Sequence, residues 1–224
     1  MSKPKILVFA SGSAEGGGSG FENLVKASRG REYNFDIVGV VSNREQGGVR
    51  ERAERLGIPF IYFPKPWNAE SYQRIARESG ADFFALSGWL KLVCGLDLDT
   101  PFNSKTVFNI HPGSLPEFGG PGLYGHYVHE AVMKAFQEGK ITHSAVSIHF
   151  VTEEYDKGPI FFLGRVRINP EDTVETLAKR VNEVEHFYQP KITDMVVNGL
   201  IKWDGVNPES LEFPPDYRII QDIK

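Results

Sequence analysis

Lys5-Ile6-Leu7-Val8-Phe9-Ala10 is followed by Ser11-Gly12, by Glu15-Gly16-Gly17-Gly18-Ser19-Gly20, and then by Phe21, Leu24 and Val25 at helical spacing. A nearly continuous apolar run entering a glycine-rich stretch reads as a buried strand that ends in a loop, and the spacing after it gives a helix one apolar face. The pattern then repeats. Phe35 to Val41 is a β-rich run closed by Ser42-Asn43, Val49 to Leu56 a charged helix stopped by Gly57, and Ile58 to Phe63 a strand. Glu70 to Ser79 is a helix stopped by Gly80, and Phe83 to Leu86 the next strand.

Parallel neighbours need helical crossovers, so this alternation predicts an α/β fold: a Rossmann-like, mostly parallel sheet with helices on both faces. Sites in such sheets lie at the carboxyl ends of the strands. The dinucleotide fingerprint is absent, because Gly16, Gly18 and Gly20 do not make G-x-G-x-x-G, and no lysine follows as in a Walker loop.

Further along, Thr106 to Ile110 is a strand that runs into His111-Pro112, and Gly125 to Glu138 a helix. Val146, Ile148 and Phe150 alternate with Ser147 and His149, which predicts a half-buried strand with Ile160 to Ile168 beside it. Asp172 with Glu175 predicts a capping box for a long last helix that Pro190 should kink or break. Residues 1–200 are expected to form one catalytic domain, and 201–224, rich in Pro and charge, a loosely packed C-terminal extension.

The 224 residues carry a net charge of −4, which argues against a broad nucleic-acid-binding face. One cysteine, Cys94, excludes an internal disulfide and fits a reducing compartment. No run approaches the roughly 18 apolar residues of a membrane span, and the N-terminal apolar run is too short for a signal segment. The expectation is a cytoplasmic protein with small-molecule partners, monomer or homodimer, binding neither nucleic acid nor membrane.

The chemistry centres on Asn109-Ile110-His111-Pro112, because side chains two apart in a strand point to the same side. An amide donor and an imidazole brought together suit an oxyanion whose formation needs proton handling. Asp156, in the acidic loop Thr152 to Pro159, could pair with His111 and raise its basicity. Taken alone, such a pair also fits a structural hydrogen bond, and such a loop a solvated surface. His126 and His129 form H-x-x-H on a helix, but no cysteine or carboxylate cluster accompanies them, so no metal site is expected.

The order Asn109-x-His111-Pro112, Leu115-Pro116, Pro121-Gly122-Leu123, Ser147 to Thr152 and Asp156-x-Gly158-Pro159-Ile160 resembles the folate-dependent formyltransferases. Val41-Ser42-Asn43, Ser87-Gly88 and Val181-Asn182 through Glu185-His186 extend the resemblance over roughly residues 5 to 195. It is best to members that formylate glycinamide ribonucleotide, a step of purine synthesis. The resemblance implies a catalytic trio of Asn109, His111 and Asp156, with 10-formyltetrahydrofolate as formyl-donating co-substrate. It implies a phosphate pocket at Gly18, Ser19, Gly20 and Arg74, and ribonucleotide contacts from Asn182 and Glu185. For the folate it implies Leu86, Trp89, Leu90, Lys91, Leu92 and Val93 on one wall, with Val151 and Thr152 on the other. Without the resemblance, Arg74 reads equally as a surface ion pair, Trp89 and Leu90 as core, and Asn182 as ordinary helix surface.

The match departs from the family pattern at Gly113-Ser114, at Phe118-Gly119-Gly120 and at Tyr124. It departs again in a nucleotide loop expanded by Ala14 to Gly17, with Gly20 where Asn is usual. Rivals within the family are a formyltetrahydrofolate hydrolase, expected to carry an added N-terminal domain, and a sugar-nucleotide formyltransferase. A tRNA-formylating member needs a C-terminal tRNA-binding domain. A rival of another class is a folate or nucleotide sensor without turnover, against which retention of all three polar residues speaks.

Overall fold

The computed structural model describes residues 2–223. Its strands are β1 (Lys5–Phe9), β2 (Asp36–Ser42), β3 (Phe60–Tyr62), β4 (Phe83–Ser87), β5 (Val107–His111), β6 (His143–Phe150), β7 (Ile160–Arg167) and β8 (Ile220–Ile223). They form one sheet in the order β3-β2-β1-β4-β5-β6-β7-β8. β1 to β5 are parallel, β6 is antiparallel to both its neighbours, and β8 is parallel to β7.

The helices are α1 (Ser19–Ser28), α2 (Gly48–Leu56), α3 (Ala69–Ser79), α4 (His126–Gln137) and α5 (Val174–Val197). Alternation along β1 assigns them to faces. Ile6 and Val8 belong to the core filled by Phe21 and Leu24 of α1, Val128 of α4 and Val181 of α5. Leu7 and Phe9 belong to the opposite core, with Tyr72, Ile75 and Ala76 of α3. The expected mostly parallel α/β sheet, covered on both faces, is the architecture found.

Several local expectations are corrected. β6 is buried on both faces, Ser147 and His149 being 0% and 2% exposed, because Ser147 Oγ donates to Gly113 O and accepts from Leu115 N under the segment after β5, and His149 is enclosed beside Asn109 and Asp156. The capping box of α5 falls one residue later. Thr173 Oγ1 accepts from Thr176 N at 3.3 Å and Thr176 Oγ1 from Thr173 N at 2.9 Å. Asp172 instead accepts from Asn169 N and pairs with Arg180.

α5 also runs unbroken through Pro190. Proline removes the hydrogen bond owed to the carbonyl four residues back; here that carbonyl, His186 O, accepts from Asn23 Nδ2 of α1 at 2.7 Å. The C-terminal segment, much of it exposed, is anchored to the rest of the chain at three places. Trp203 is buried against Phe150 with ring centroids 5.7 Å apart, Tyr217 Oη donates to Phe161 O, and β8 extends the sheet. Among the described residues no helix is long and apolar enough to cross a membrane.

Candidate active site

β1 lies between β2 and β4, so the chain leaves β1 and β4 in opposite directions across the sheet. Crevices open at the carboxyl ends of strands at such a switch point. Here a cavity of about 530 Å³ is bounded by Gly18-Ser19-Gly20 after β1, Ser87-Gly88 at the end of β4 and Asn109 to Pro112 at the end of β5. Asn182, Glu185 and His186 of α5 close another side.

The expected trio converges on it. Nδ1 of His111 is 3.9 Å from Asp156 Oδ1, and Nε2 of His149 is 3.5 Å from the same oxygen. Asn109 and His149 are opposite one another in the β5–β6 ladder, their side-chain nitrogens 3.1 Å apart. Asp156 has φ of 54°, a left-handed conformation uncommon outside glycine, which turns the loop sharply at the carboxylate. Its Oδ2 accepts from Gly120 N at 2.8 Å.

Nε2 of His111 lies 2.7 Å from the Phe118 carbonyl, an acceptor, so that nitrogen carries hydrogen and Nδ1 is the one that titrates. Burial pushes the His111 pKa down, against the opposing pull of Asp156 and the Phe118 carbonyl. Burial works to raise the Asp156 carboxyl, but its contacts with His149, His111 and Gly120 outweigh that and hold it below the ordinary range. The result at neutral pH is an ionised carboxylate beside an imidazole poised to take up a proton.

Gly18 caps α1 in a left-handed conformation, with no side-chain cap on the helix, and Gly18, Ser19 and Gly20 line the cavity, an arrangement of the kind that suits an anion. Arg52 Nε donates to Gly17 O at 2.8 Å, and its guanidinium meets Glu22 at 2.6 Å. Arg55 and Lys26 reach the same Glu22 at 2.8 Å each. Their hydrogen bonds, that from Arg55 first, hold the Glu22 carboxyl down at about 2. His186 Nε2 lies 3.3 Å from Ser19 Oγ.

Arg74 is not brought here. It is exposed on α3, which packs on the opposite face of the sheet, and it takes no part in lining the cavity. Helical spacing in the sequence does not say which sheet face a helix covers. Asn182 Nδ2 donates to Glu185 Oε2 at 3.1 Å, and burial pushes the Glu185 carboxyl up to about 7.

A smaller recess of about 50 Å³ brings together Leu86, Lys91, Leu92, Val93, Val151 and Thr152. Trp89, Asn109, Tyr155 and Asp156 line both it and the main cavity, while Leu90 lines the main cavity alone. Trp89 is also core, stacked on Phe63 at 5.9 Å and donating from Nε1 to Tyr72 Oη. Sequence reasoning missed Gln189 and His129 as cavity residues. Gln189 was within reach, being four residues after Glu185 and so on the same face of α5.

An open α/β sheet with an amide, two imidazoles and a carboxylate gathered beside its switch-point cavity has the groups that an acyl-transferring enzyme needs. The formyl transferase family model matches residues 4–193, and the chain belongs to that family. It is similar to a chloroplastic phosphoribosylglycinamide formyltransferase of Arabidopsis thaliana, 39% identical over 91% of this chain and 70% of that one. It is 32% identical to the phosphoribosylglycinamide formyltransferase of Bacillus subtilis over 84% of this chain and 92% of the relative. Among solved structures, the phosphoribosylglycinamide formyltransferase of Anaplasma phagocytophilum is 26% identical with a TM-score of 0.81, covering 99% of both chains.

Proposed function

We propose that this enzyme transfers the formyl group of 10-formyltetrahydrofolate to the amine of glycinamide ribonucleotide. The observation that carries the reading is the placement of Asn109, Asp156 and Trp89 where two hollows meet, one bounded by a helix N-terminus and the other by apolar residues of the 86–93 segment. A phosphorylated amine enters the first, with its phosphate on the Gly18-Ser19-Gly20 turn and its ribose at Asn182 and Glu185. The heterocycle of the folate enters beside Trp89 and Leu90.

The amine attacks the formyl carbon, and the new C–N bond converts the carbonyl into an oxyanion. Asn109 Nδ2 donates to that oxygen, as does His111 Nδ1 once it has taken up the proton that the attacking amine releases. The attacking nitrogen gives up a proton and the folate nitrogen gains one as the second C–N bond breaks. Asp156, too far from His111 Nδ1 for a direct hydrogen bond at 3.9 Å, relays the proton through a bridging water.

The test is the absorbance change on mixing the protein with 10-formyltetrahydrofolate, with and without glycinamide ribonucleotide. Turnover that needs the ribonucleotide and is lost in His111→Ala supports the transfer. Folate release without any amine supports a hydrolase instead, and binding without turnover a sensor.

A further inference from the structure

Helix α4 begins at His126 behind Gly125, with no side-chain cap and no acidic residue in its first turn. Gly125, His126 and His129 all line the main cavity, so the first turn of α4 stands at its wall, with Tyr127 N tied back to Tyr124 O. One turn in, His129 is only 6% exposed. Its Nδ1 is enclosed without a partner, and among the described residues Nε2 makes no hydrogen bond to the protein either. Nδ1 is shut off from any ligand, so Nε2, which no protein group pairs and which is not enclosed, is the ring atom left to a partner from outside the chain.

The charge state agrees with a neutral ligand atom. Burial first, then the neighbouring His126 and His111, push the His129 pKa down to about 4, so the ring is uncharged at neutral pH. His126 is occupied on the surface, 3.3 Å from Glu130. With Nδ1 enclosed and facing no acceptor, the ring hydrogen sits on Nε2 and is offered to the cavity.

We propose that His129 Nε2–H and the uncapped first turn of α4 form a subsite that holds an oxygen of the acceptor substrate, a ribose hydroxyl or the glycinamide carbonyl. The proposal rests on the transfer reading above. It assigns a ligand-contacting role to a residue that the H-x-x-H spacing offered only as a weak metal ligand. Both components of the subsite are donors or partial positive charges, so it favours an oxygen acceptor over a cation.

Steady-state kinetics of the full-length enzyme and of His129→Ala, His129→Leu and His129→Gln decide it. Ala and Leu should raise the KM for glycinamide ribonucleotide about tenfold, with kcat and the KM for 10-formyltetrahydrofolate changed less than twofold. Gln, which keeps an N–H donor, should recover most of the loss; a purely packing role predicts that Leu recovers it instead. In the wild type, saturation with glycinamide ribonucleotide should shift the His129 imidazole resonances.

Inhibition by ribose 5-phosphate locates the oxygen. A weakened inhibition constant in His129→Ala places it on the ribose, and an unchanged one, with the acceptor KM still raised, places it on the glycinamide. An unchanged acceptor KM in Ala and Leu variants that melt like wild type overturns the subsite alone. A wild type that ignores glycinamide ribonucleotide overturns the transfer reading and the subsite's ligand with it.

Discussion

Asn109 and His149 face each other across the β5–β6 ladder, with Nδ2 of Asn109 3.1 Å from Nε2 of His149. The other ring nitrogen of His149 lies 2.7 Å from the Phe150 carbonyl, so Nδ1 carries the hydrogen and Nε2 accepts one amide proton of Asn109. The second amide proton is thereby left for a developing oxyanion. Asn109→Ala should lower kcat on the order of 100- to 1,000-fold, and His149→Ala about tenfold through lost orientation. His149 also lies 3.5 Å from Asp156 Oδ1, so in the double variant only the part of its effect that runs through Asn109 should vanish; a fully multiplicative loss would show His149 acting through Asp156 alone.

Glu185 carries a pH dependence. Its ordinary pKa of 4.5 rises to about 7 on burial, so between those values the folded protein keeps a proton that the unfolded chain has released. This part of the stability is therefore fully present below about pH 4.5 and is lost as the pH rises through 7. Urea titrations at pH 5 and pH 8 should show Glu185→Gln gaining on wild type toward high pH, by no more than about 1.4 kcal/mol per pH unit within that window. In activity the effect runs the other way, since the ionised carboxylate is the form that accepts from ribose hydroxyls. The kcat/KM for the acceptor should rise with an apparent pKa near 7 in wild type, and that inflection should be missing from Glu185→Gln.

The expanded loop after β1 is held by backbone contact with the start of α2. Gly48 N donates to Ser13 O, Ser13 N to Gly16 O, and a Cβ at Gly48 would press on the Gly16 backbone. Arg52 adds the staple to Gly17 O and is itself anchored on Glu22. Arg52→Ala should raise the KM for the phosphorylated acceptor several-fold and spare the KM for folate, because it releases the loop at the phosphate end. Equal effects on both constants would instead mean a general loss of folding.

Periodicity carried much of the architecture, because strands buried on both faces and helices with one apolar stripe write themselves into the sequence. It failed where the partner is distant. Nothing local to Pro190 shows that Asn23 will take the His186 carbonyl, and nothing in the tail shows that Trp203 will reach Phe150. Asn109 and His111 could be paired from strand geometry alone. The contacts that tune them, Phe118 O on His111 and Gly120 N on Asp156, come from an irregular segment with no period to read. Arg74 was misplaced for a related reason: spacing gives a helix its faces but not its side of the sheet.

Gly20 is held to glycine by its neighbours. A Cβ there would overlap Ser87 Oγ and come within 3.1 Å of Gln189 Oε1, and Gln189 Nε2 donates to the same Ser87 hydroxyl at 3.0 Å. The space next to the first turn of α1 is thus filled from β4 and α5. Gly20 is in a helix with ordinary backbone angles, so the obstacle to a side chain is steric rather than conformational. Gly20→Ala should cost about 1–3 kcal/mol through overpacking, seen as a melting temperature lower by roughly 2–4 °C per kcal/mol. It should also weaken the acceptor KM as the turn bearing Ser19 is displaced. Ser87→Ala removes the overlapping oxygen, so Gly20→Ala with Ser87→Ala should recover most of both losses. If the double variant melts no higher than Gly20→Ala alone, the hydroxyl is not what holds this position to glycine.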